Sequence, residues 1–404
     1  MESDLEAIAE KIAQTAKNAA LELRILSADT RDKALQKIAE TIRLHKAEII
    51  DENKKDIEAA KSSGMPDAMI DRLTLTPKRI EEMAKGVEEI AAFADPLGKI
   101  LERRTLVNGI DISRISVPIG AIFFIYESRP NVTIDGAALC FKTGNAVILR
   151  GGKESVHSSA FLAKIFCDCL FEFGISRDAV QYIDNPDRNL LGCLLKQNEY
   201  LDLVIPRGGK GLIKAVNEQS RIPVIKHFDG ICHVYIDKSA NIEKAAKILY
   251  NAKVQRPSVC NAAETVLLHR DLSKEAAEQI LRPLKGAGVE IHCDKCGIEY
   301  LDLQISACLV SGVKEACEHI EKYGSHHTDA IVAEDAEVLE YFANNVDSAS
   351  VMLNASTRFA DGGQYGLGAE VGISTDKLHA RGPMGVESLC SYKWVLRGNG
   401  QVRE

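Results

Sequence analysis

Between residues 120 and 354 the chain alternates short apolar runs with stretches of helical spacing, a rhythm that few folds accept. The first runs are 121–126, 146–150, 180–183, 203–205 and 223–225, with helical stretches such as 155–173 between them. A second set comprises 233–237, 265–269, 289–292, 330–333 and 350–354, separated by helices that include 241–253 and 273–284. Apolar runs this short, bounded by turn residues, read as strands buried on both faces. A helix between successive strands returns the chain for parallel pairing. The expectation is an α/β protein with two doubly wound parallel sheets, hence two α/β domains. A length of 404 residues accommodates that.

The first hundred residues read differently. Leu5, Ile8, Ile12, Ala16, Ala19 and Leu23 fall at helical spacing over residues 3–24. A second helix is expected from Thr30 toward Ala60, broken by Gly64-Met-Pro66, and Thr76-Pro77 reads as a further helix start. Asn108-Gly109, flanked by apolar residues, signals a hairpin. Net charge is −8, so a general nucleic-acid role lacks its electrostatic footprint. The acidic start Met1-Glu-Ser-Asp-Leu-Glu is unlike a signal peptide. The strongest apolar run, 121–126, is too short to cross a bilayer. Eleven cysteines, an odd number without a disulfide-like framework, fit reduced thiols in a cytoplasmic protein.

One of those cysteines lies where chemistry is expected. In Arg256-Pro-Ser-Val-Cys260-Asn261, proline discourages helix upstream and an apolar run at 265–268 follows. Cys260 therefore sits on a connection from helix to strand, a place that often carries function. Lys253 and Arg256 are close in sequence, and positive charge lowers a thiol pKa. Cys260 is a candidate nucleophile; the competing reading is a buried structural cysteine.

Two basic turns follow strands. Arg150-Gly151-Gly152-Lys153 comes after the run at 146–149, and Arg207-Gly208-Gly209-Lys210 after that at 203–205, opening a helix. Strand C-termini and helix N-termini of open α/β sheets bind phosphates, but ordinary turns with solvated charges have the same sequence. Gly366-Leu-Gly368-Ala-Glu-Val-Gly372 is rejected as a dinucleotide fingerprint, because its last glycine is one residue late and no strand precedes it. His292-Cys293-Asp-Lys-Cys296 has the look of half a zinc site, but no second Cys-x-x-Cys exists. A strand-end turn is preferred there, and no metal is expected.

At several blocks the sequence resembles the glutamate-5-semialdehyde dehydrogenases, or γ-glutamyl phosphate reductases, of the aldehyde dehydrogenase superfamily. The blocks are Val117-Pro-Ile-Gly120, Ile125-Tyr-Glu-Ser-Arg-Pro-Asn-Val-Thr133, Gly144-Asn-Ala-Val-Ile-Leu-Arg-Gly-Gly152 and Val204-Ile-Pro-Arg-Gly-Gly-Lys-Gly-Leu-Ile213. They continue through Ile225-Lys-His-Phe-Asp-Gly-Ile-Cys-His-Val-Tyr-Ile236, the Cys260 segment, Gly324-Ser-His-His-Thr-Asp-Ala-Ile331, residues 347–359 and Tyr365-Gly-Leu-Gly-Ala-Glu-Val-Gly372 to Pro383. They span essentially the whole chain, in order.

The resemblance implies an aldehyde dehydrogenase-like fold of three parts. Residues 1–104 and 119–230 would bind NADP, 231–370 would carry Cys260, and 105–118 with 385–404 would form a small β oligomerisation element. It implies NADPH-dependent reduction of L-glutamyl 5-phosphate to L-glutamate 5-semialdehyde with release of phosphate, in proline biosynthesis. Cys260 would be the nucleophile and Asn131 an oxyanion donor. Cofactor contacts would come from Arg150, Lys153, Arg207, Gly208, Gly209, Lys210 and Glu321. For Glu321, in Glu-Lys-Tyr-Gly324, a solvated helix end is the alternative. Arg150 and Lys153 would select NADP by pairing with its phosphate. Glu127, Arg129, Arg256 and Arg381 are the candidates for the substrate's amino and carboxyl groups. His227 stands where oxidising relatives carry the glutamate that activates water, so hydrolysis should be lost. A homo-oligomer and a separate glutamate 5-kinase are the expected partners. A CoA-linked acylating enzyme and a catalytically silent scaffold are the rival readings, separable by acyl-donor assays and by thiol labelling with and without NADPH.

Overall fold

The structure is a computed structural model that describes residues 2–226, 229–367 and 369–403. His227 lies outside the described residues. Among them, no helix is long and apolar enough to cross a membrane. The chain divides into two compact units, one of residues 1–225, 367–372 and 384–404, the other of residues 226–366 and 373–383.

The first unit opens with five helices, Glu2–Leu23, Ala28–Leu44, Lys46–Ser62, Asp67–Leu73 and Pro77–Ala92. Ser27 caps the second by accepting from the Thr30 N–H, and Thr76 caps the fifth with Pro77 in its first turn. The single helix expected from Thr30 toward Ala60 is two. The first ends at His45, whose N–H still donates to Thr41 O, and His45 O begins the next. No glycine or proline marks that break. The His45 ring lies edge-on to Phe161, with ring centres 6.4 Å apart, so tertiary packing accompanies the change of direction.

A four-stranded parallel sheet follows, in the spatial order Val180–Tyr182, Ala146–Arg150, Ala121–Tyr126, Leu203–Arg207. Its buried residues Phe123, Ile125, Ile148 and Val204 form one core with Ala9, Ala13 and Ala16 of the first helix. The expected strand at 223–225 is only a bridge between Val204 and Val224. Proline at 223 has no N–H to donate to a longer ladder. The chain runs outward from Ala121–Tyr126 and then returns to its other side. This makes the C-terminal end of that strand the topological switch point.

A separate three-stranded sheet joins Ile100–Thr105, Asp111–Pro118 and Cys390–Arg397, all antiparallel. Its hairpin turns at Asn108-Gly109, where Gly109 has φ +83°, a conformation glycine adopts without a Cβ penalty. One pairing thus joins the two sequence segments expected to form the small β element.

The second unit holds six parallel strands, in the order Ser350–Leu353, Thr328–Val332, Cys232–Ile236, Ala263–His269, Gln304–Val310, Glu290–His292. Successive side chains point to opposite faces. Val234, Ile236, Val266 and Leu268 pack into one core, while Tyr235, Leu267 and Ile331 join Phe342 in another. Gln304–Val310 escaped the sequence reading because Gln304, Ser306 and Cys308 interrupt its apolar run. It nevertheless pairs on both sides, which is a tertiary effect.

Candidate active site

In the first unit, three loops leave neighbouring strand ends at the switch point. Ile125 is in register with Arg150, and Tyr126 with Arg207. Glu127 is thereby brought against the Gly208-Gly209 turn and Ser128 against the Gly151-Gly152 turn. The Gly209 N–H donates to Glu127 Oε1 at 2.6 Å, at the start of helix Lys210–Gln219. A Cβ on Gly208 would stand 2.8 Å from Glu127 Cγ, so that turn requires glycine. The helix N-terminus already holds an anion, the Glu127 carboxylate. An incoming phosphate at Gly209 has to displace it. Arg207 Nη1 reaches Glu370 O and Val371 O at 3.4 and 3.3 Å. Lys210 is exposed.

The other turn is built as closely. Ser128 Oγ donates to Glu154 Oε2 at 2.5 Å, and a Cβ on Gly152 would lie 2.2 Å from Ser128 Oγ. Arg150 Nη2 donates to Pro186 O and Asp187 O, both at 3.2 Å, whereas its buried Nε has no hydrogen-bond partner. Burial holds the Arg150 pKa below its ordinary value. Lys153 is exposed in the 3₁₀ turn Lys153–Ser155. Glu154, a carboxylate beside that lysine, went unnoticed in the sequence.

Asn131 lies in the first turn of helix Pro130–Lys142 and donates from Nδ2 to Asp135 Oδ2 at 3.0 Å. Burial pushes Asp135 up to about 6, against the opposing effects of Arg207 and of the Asn131 hydrogen bond. The i, i+4 spacing of an amide and a carboxylate was a signal that sequence reading could have used.

In the second unit Cys260 sits, half-buried, between helix Ile242–Val254 and strand Ala263–His269. Cys232 Sγ donates to Cys260 O at 3.2 Å. A Cβ on Gly230 would meet Cys260 O at 2.1 Å and its Cα at 2.5 Å. Gly230 N–H in turn donates to Glu299 Oε1 at 2.7 Å. The thiol's backbone is therefore wedged in place from the start of the neighbouring strand.

The cation expected to act on it from Lys253 is committed elsewhere. Lys253 Nζ donates to Glu264 Oε2 at 2.7 Å, both fully buried. Burial lowers the Lys253 pKa and raises that of Glu264, and their mutual attraction opposes both shifts. Arg256 is exposed on the Cys260 connection. Arg358, to which the sequence reading gave no role, donates from Nε to Gln255 Oε1 at 2.9 Å and hydrogen-bonds Asn261 Oδ1. Its pKa is held below the ordinary value by burial first and by Arg256 next, while Asp361 and Cys260 oppose the shift. Arg358 lines a cavity of about 280 Å³ with Asn251, Gln255, Phe359, Asp361 and Gln364.

Arg381 and Glu321 are placed less centrally. Arg381 Nη1 pairs with Asp347 Oδ1 at 2.7 Å, and Lys377 pairs with the same carboxylate. Together these bonds hold Asp347 down at about 2. Glu321 is exposed near the end of helix Val313–Tyr323, 4.0 Å from His326 Nδ1.

The first unit thus carries glycine turns at its switch point, and the second a thiol on a helix-to-strand connection. The aldehyde dehydrogenase family model matches residues 2–294. A gamma-glutamyl phosphate reductase of Paramagnetospirillum magneticum is 47% identical, with 99% of each chain covered. That of Idiomarina loihiensis is 46% identical, over 98% of this chain and 99% of its own. The crystal structure of the Thermotoga maritima gamma-glutamyl phosphate reductase superposes with a TM-score of 0.96 at 40% identity, covering 98% of this chain and 100% of that one. The chain belongs to the aldehyde dehydrogenase family and, within it, to the gamma-glutamyl phosphate reductases. It is an oxidoreductase of a family that uses NAD(P).

Proposed function

We propose that this enzyme reduces L-glutamyl 5-phosphate to L-glutamate 5-semialdehyde with NADPH, releasing phosphate, as the second step of proline biosynthesis from glutamate. The observation that carries this reading is the wedged, half-buried Cys260 loop in a chain with full-length relatives of that name. The Cys260 thiolate attacks the acyl carbon, the C–O bond to phosphate breaks, and a thioester forms on Sγ. Phosphate leaves without needing a strong acid. When bound, the reduced nicotinamide supplies hydride. The chain's part is to hold the acyl group on Sγ and to stabilise the oxyanion at each tetrahedral stage. The Cys260 N–H and the Asn131 amide are assigned that role, with Asp135 orienting the amide. The semialdehyde then leaves as the C–S bond breaks.

Two features support a fit to NADP. The switch-point turns allow close backbone approach, and the exposed Lys153, on the same turn as Arg150, provides positive charge for a phosphate. Lys210 is the alternative cation, and Glu321 is assigned to the nicotinamide ribose. Glu127, Arg129, Arg256 and Arg381 are carried forward for the substrate's charged ends. Arg358 joins them, because it lines a cavity whereas Arg381 is already paired. The small β sheet is assigned to homo-oligomer contacts, the location is the cytoplasm, and a separate kinase supplies the acyl phosphate.

Replacing Cys260 with alanine tests the covalent step. Turnover should fall by roughly 10⁴-fold or more while NADPH binding, followed by fluorescence titration, stays within about twofold. Activity near that of the wild type would end the thioester mechanism.

A further inference from the structure

The geometry points to a structural zinc site in the second unit, formed by Cys296, Cys308 and His319, and the sequence spacing offers Cys293 as a fourth ligand. The three residues come from separate elements: the loop after strand Glu290–His292, strand Gln304–Val310 and helix Val313–Tyr323. Their ligand atoms all lie within 4.8 Å of one another. Cys296 Sγ and Cys308 Sγ are 3.2 Å apart. A zinc ion with bonds of about 2.3 Å to sulfur sets tetrahedral ligands about 3.8 Å apart. A disulfide needs about 2.05 Å. The observed separation is closer to the first.

Two further observations point to a ligand. Both ring nitrogens of His319 are buried and have no hydrogen-bond partner. A buried imidazole ordinarily satisfies at least one of them, and a metal bond would do so. In addition, Cys293 precedes Cys296 by three residues, the C-x-x-C spacing of zinc sites. The sequence lacked a second C-x-x-C, but folding supplies the missing ligands from a strand and a helix.

Thiolate and imidazole donors suit zinc rather than magnesium or calcium. Zinc displaces the thiol protons to solvent as the sulfur–metal bonds form. The ion would tie the edge strand Glu290–His292, only three residues long, to helix Val313–Tyr323. Gly297 already brings this loop against the helix: its φ is +68°, and a Cβ there would lie 3.4 Å from the Tyr323 ring.

The test is elemental analysis of the full-length protein after zinc loading and desalting, together with its melting temperature. About one zinc per chain is expected, retained in Cys260→Ala and lost in Cys296→Ser/Cys308→Ser. Cys296 is exposed, so Cys296→Ser alone should fold, with zinc affinity at least about tenfold weaker. His319→Ala should weaken it similarly. Zinc should raise the melting temperature of the wild type and not of the double variant. Three results would overturn the site: substoichiometric zinc in the wild type, stoichiometry unchanged by the double substitution, or zinc lost on removing Cys260. A 296–308 disulfide in freshly reduced, metal-loaded protein would also overturn it.

Discussion

Burial sorts the eleven cysteines by chemistry. It raises the pKa of Cys140, Cys167, Cys169, Cys232, Cys317 and Cys390, so these thiols stay protonated and inert near neutral pH. Cys260 is half-buried on a connection, with Arg358 the fixed cation nearby. Its position depends on Gly230. Gly230→Ala puts a methyl 2.1 Å from Cys260 O, so the loop has to move. Displacement of about 1 Å at a reacting group costs on the order of 10²-fold, and kcat should fall accordingly with little change in NADPH affinity. Steady-state kinetics beside a coenzyme titration would check this. A wild-type kcat would mean that the wedge does not position the thiol.

Asp135 adds a pH dependence at the same scale. Its folded pKa is raised, to about 6, so the stability it contributes is present below the unfolded carboxylate range and is lost as pH rises through 6. Function runs the other way, because only the carboxylate, formed above pH 6, holds the Asn131 amide as a full acceptor. The rate should therefore drop on the acid side of pH 6, and Asp135→Asn should remove that limb from the pH–rate profile. An unchanged limb would assign it to another group.

Among the elements, those with strong local signals were legible. The strands at 121–126 and 146–150 and the hairpin at Asn108-Gly109 stand where apolar runs and turn residues put them. The break at His45 and the polar-interrupted strand Gln304–Val310 are decided by packing, which no local pattern carries. The basic turns were legible as turns, but their occupancy was not. Glu127 on Gly209 and Glu154 on Ser128 are meetings of residues 82 and 26 positions apart. Coenzyme choice is testable on one of these turns. Lys153→Glu should raise the KM for NADPH by about tenfold or more and leave NADH use unchanged or improved. The NADPH preference should also weaken with added salt. If the ratio of the two coenzymes did not move, Lys210 would become the next cation to test.

For the whole molecule, the assignment of the small sheet to oligomer contacts rests on its exposed face. Tyr392, Trp394 and Leu396 are 52%, 43% and 57% exposed along strand Cys390–Arg397, an apolar edge that isolated sheets seldom leave open. Trp394→Glu with Leu396→Glu should lower the mass seen by light scattering to that of a single chain. An unchanged oligomer would place the contact elsewhere. The division into two α/β units was legible because each sheet carries its own run of apolar segments. The partners of Cys260 were less so: Arg358 lies 98 positions away, inside the block 347–359, where the sequence assigned no residue a role.

The central claim is that the acyl group sits on Cys260 and exchanges with phosphate rather than water. It is tested most directly by running the reaction backward, with glutamate 5-semialdehyde and NADP and with phosphate varied from zero. His227, where a water-activating glutamate would be expected, predicts the outcome. NADP reduction should be negligible without phosphate, rise to saturation with it and be restored by arsenate. Reduction at an equal rate in the absence of both anions would show that water reaches the thioester, and would contradict the account.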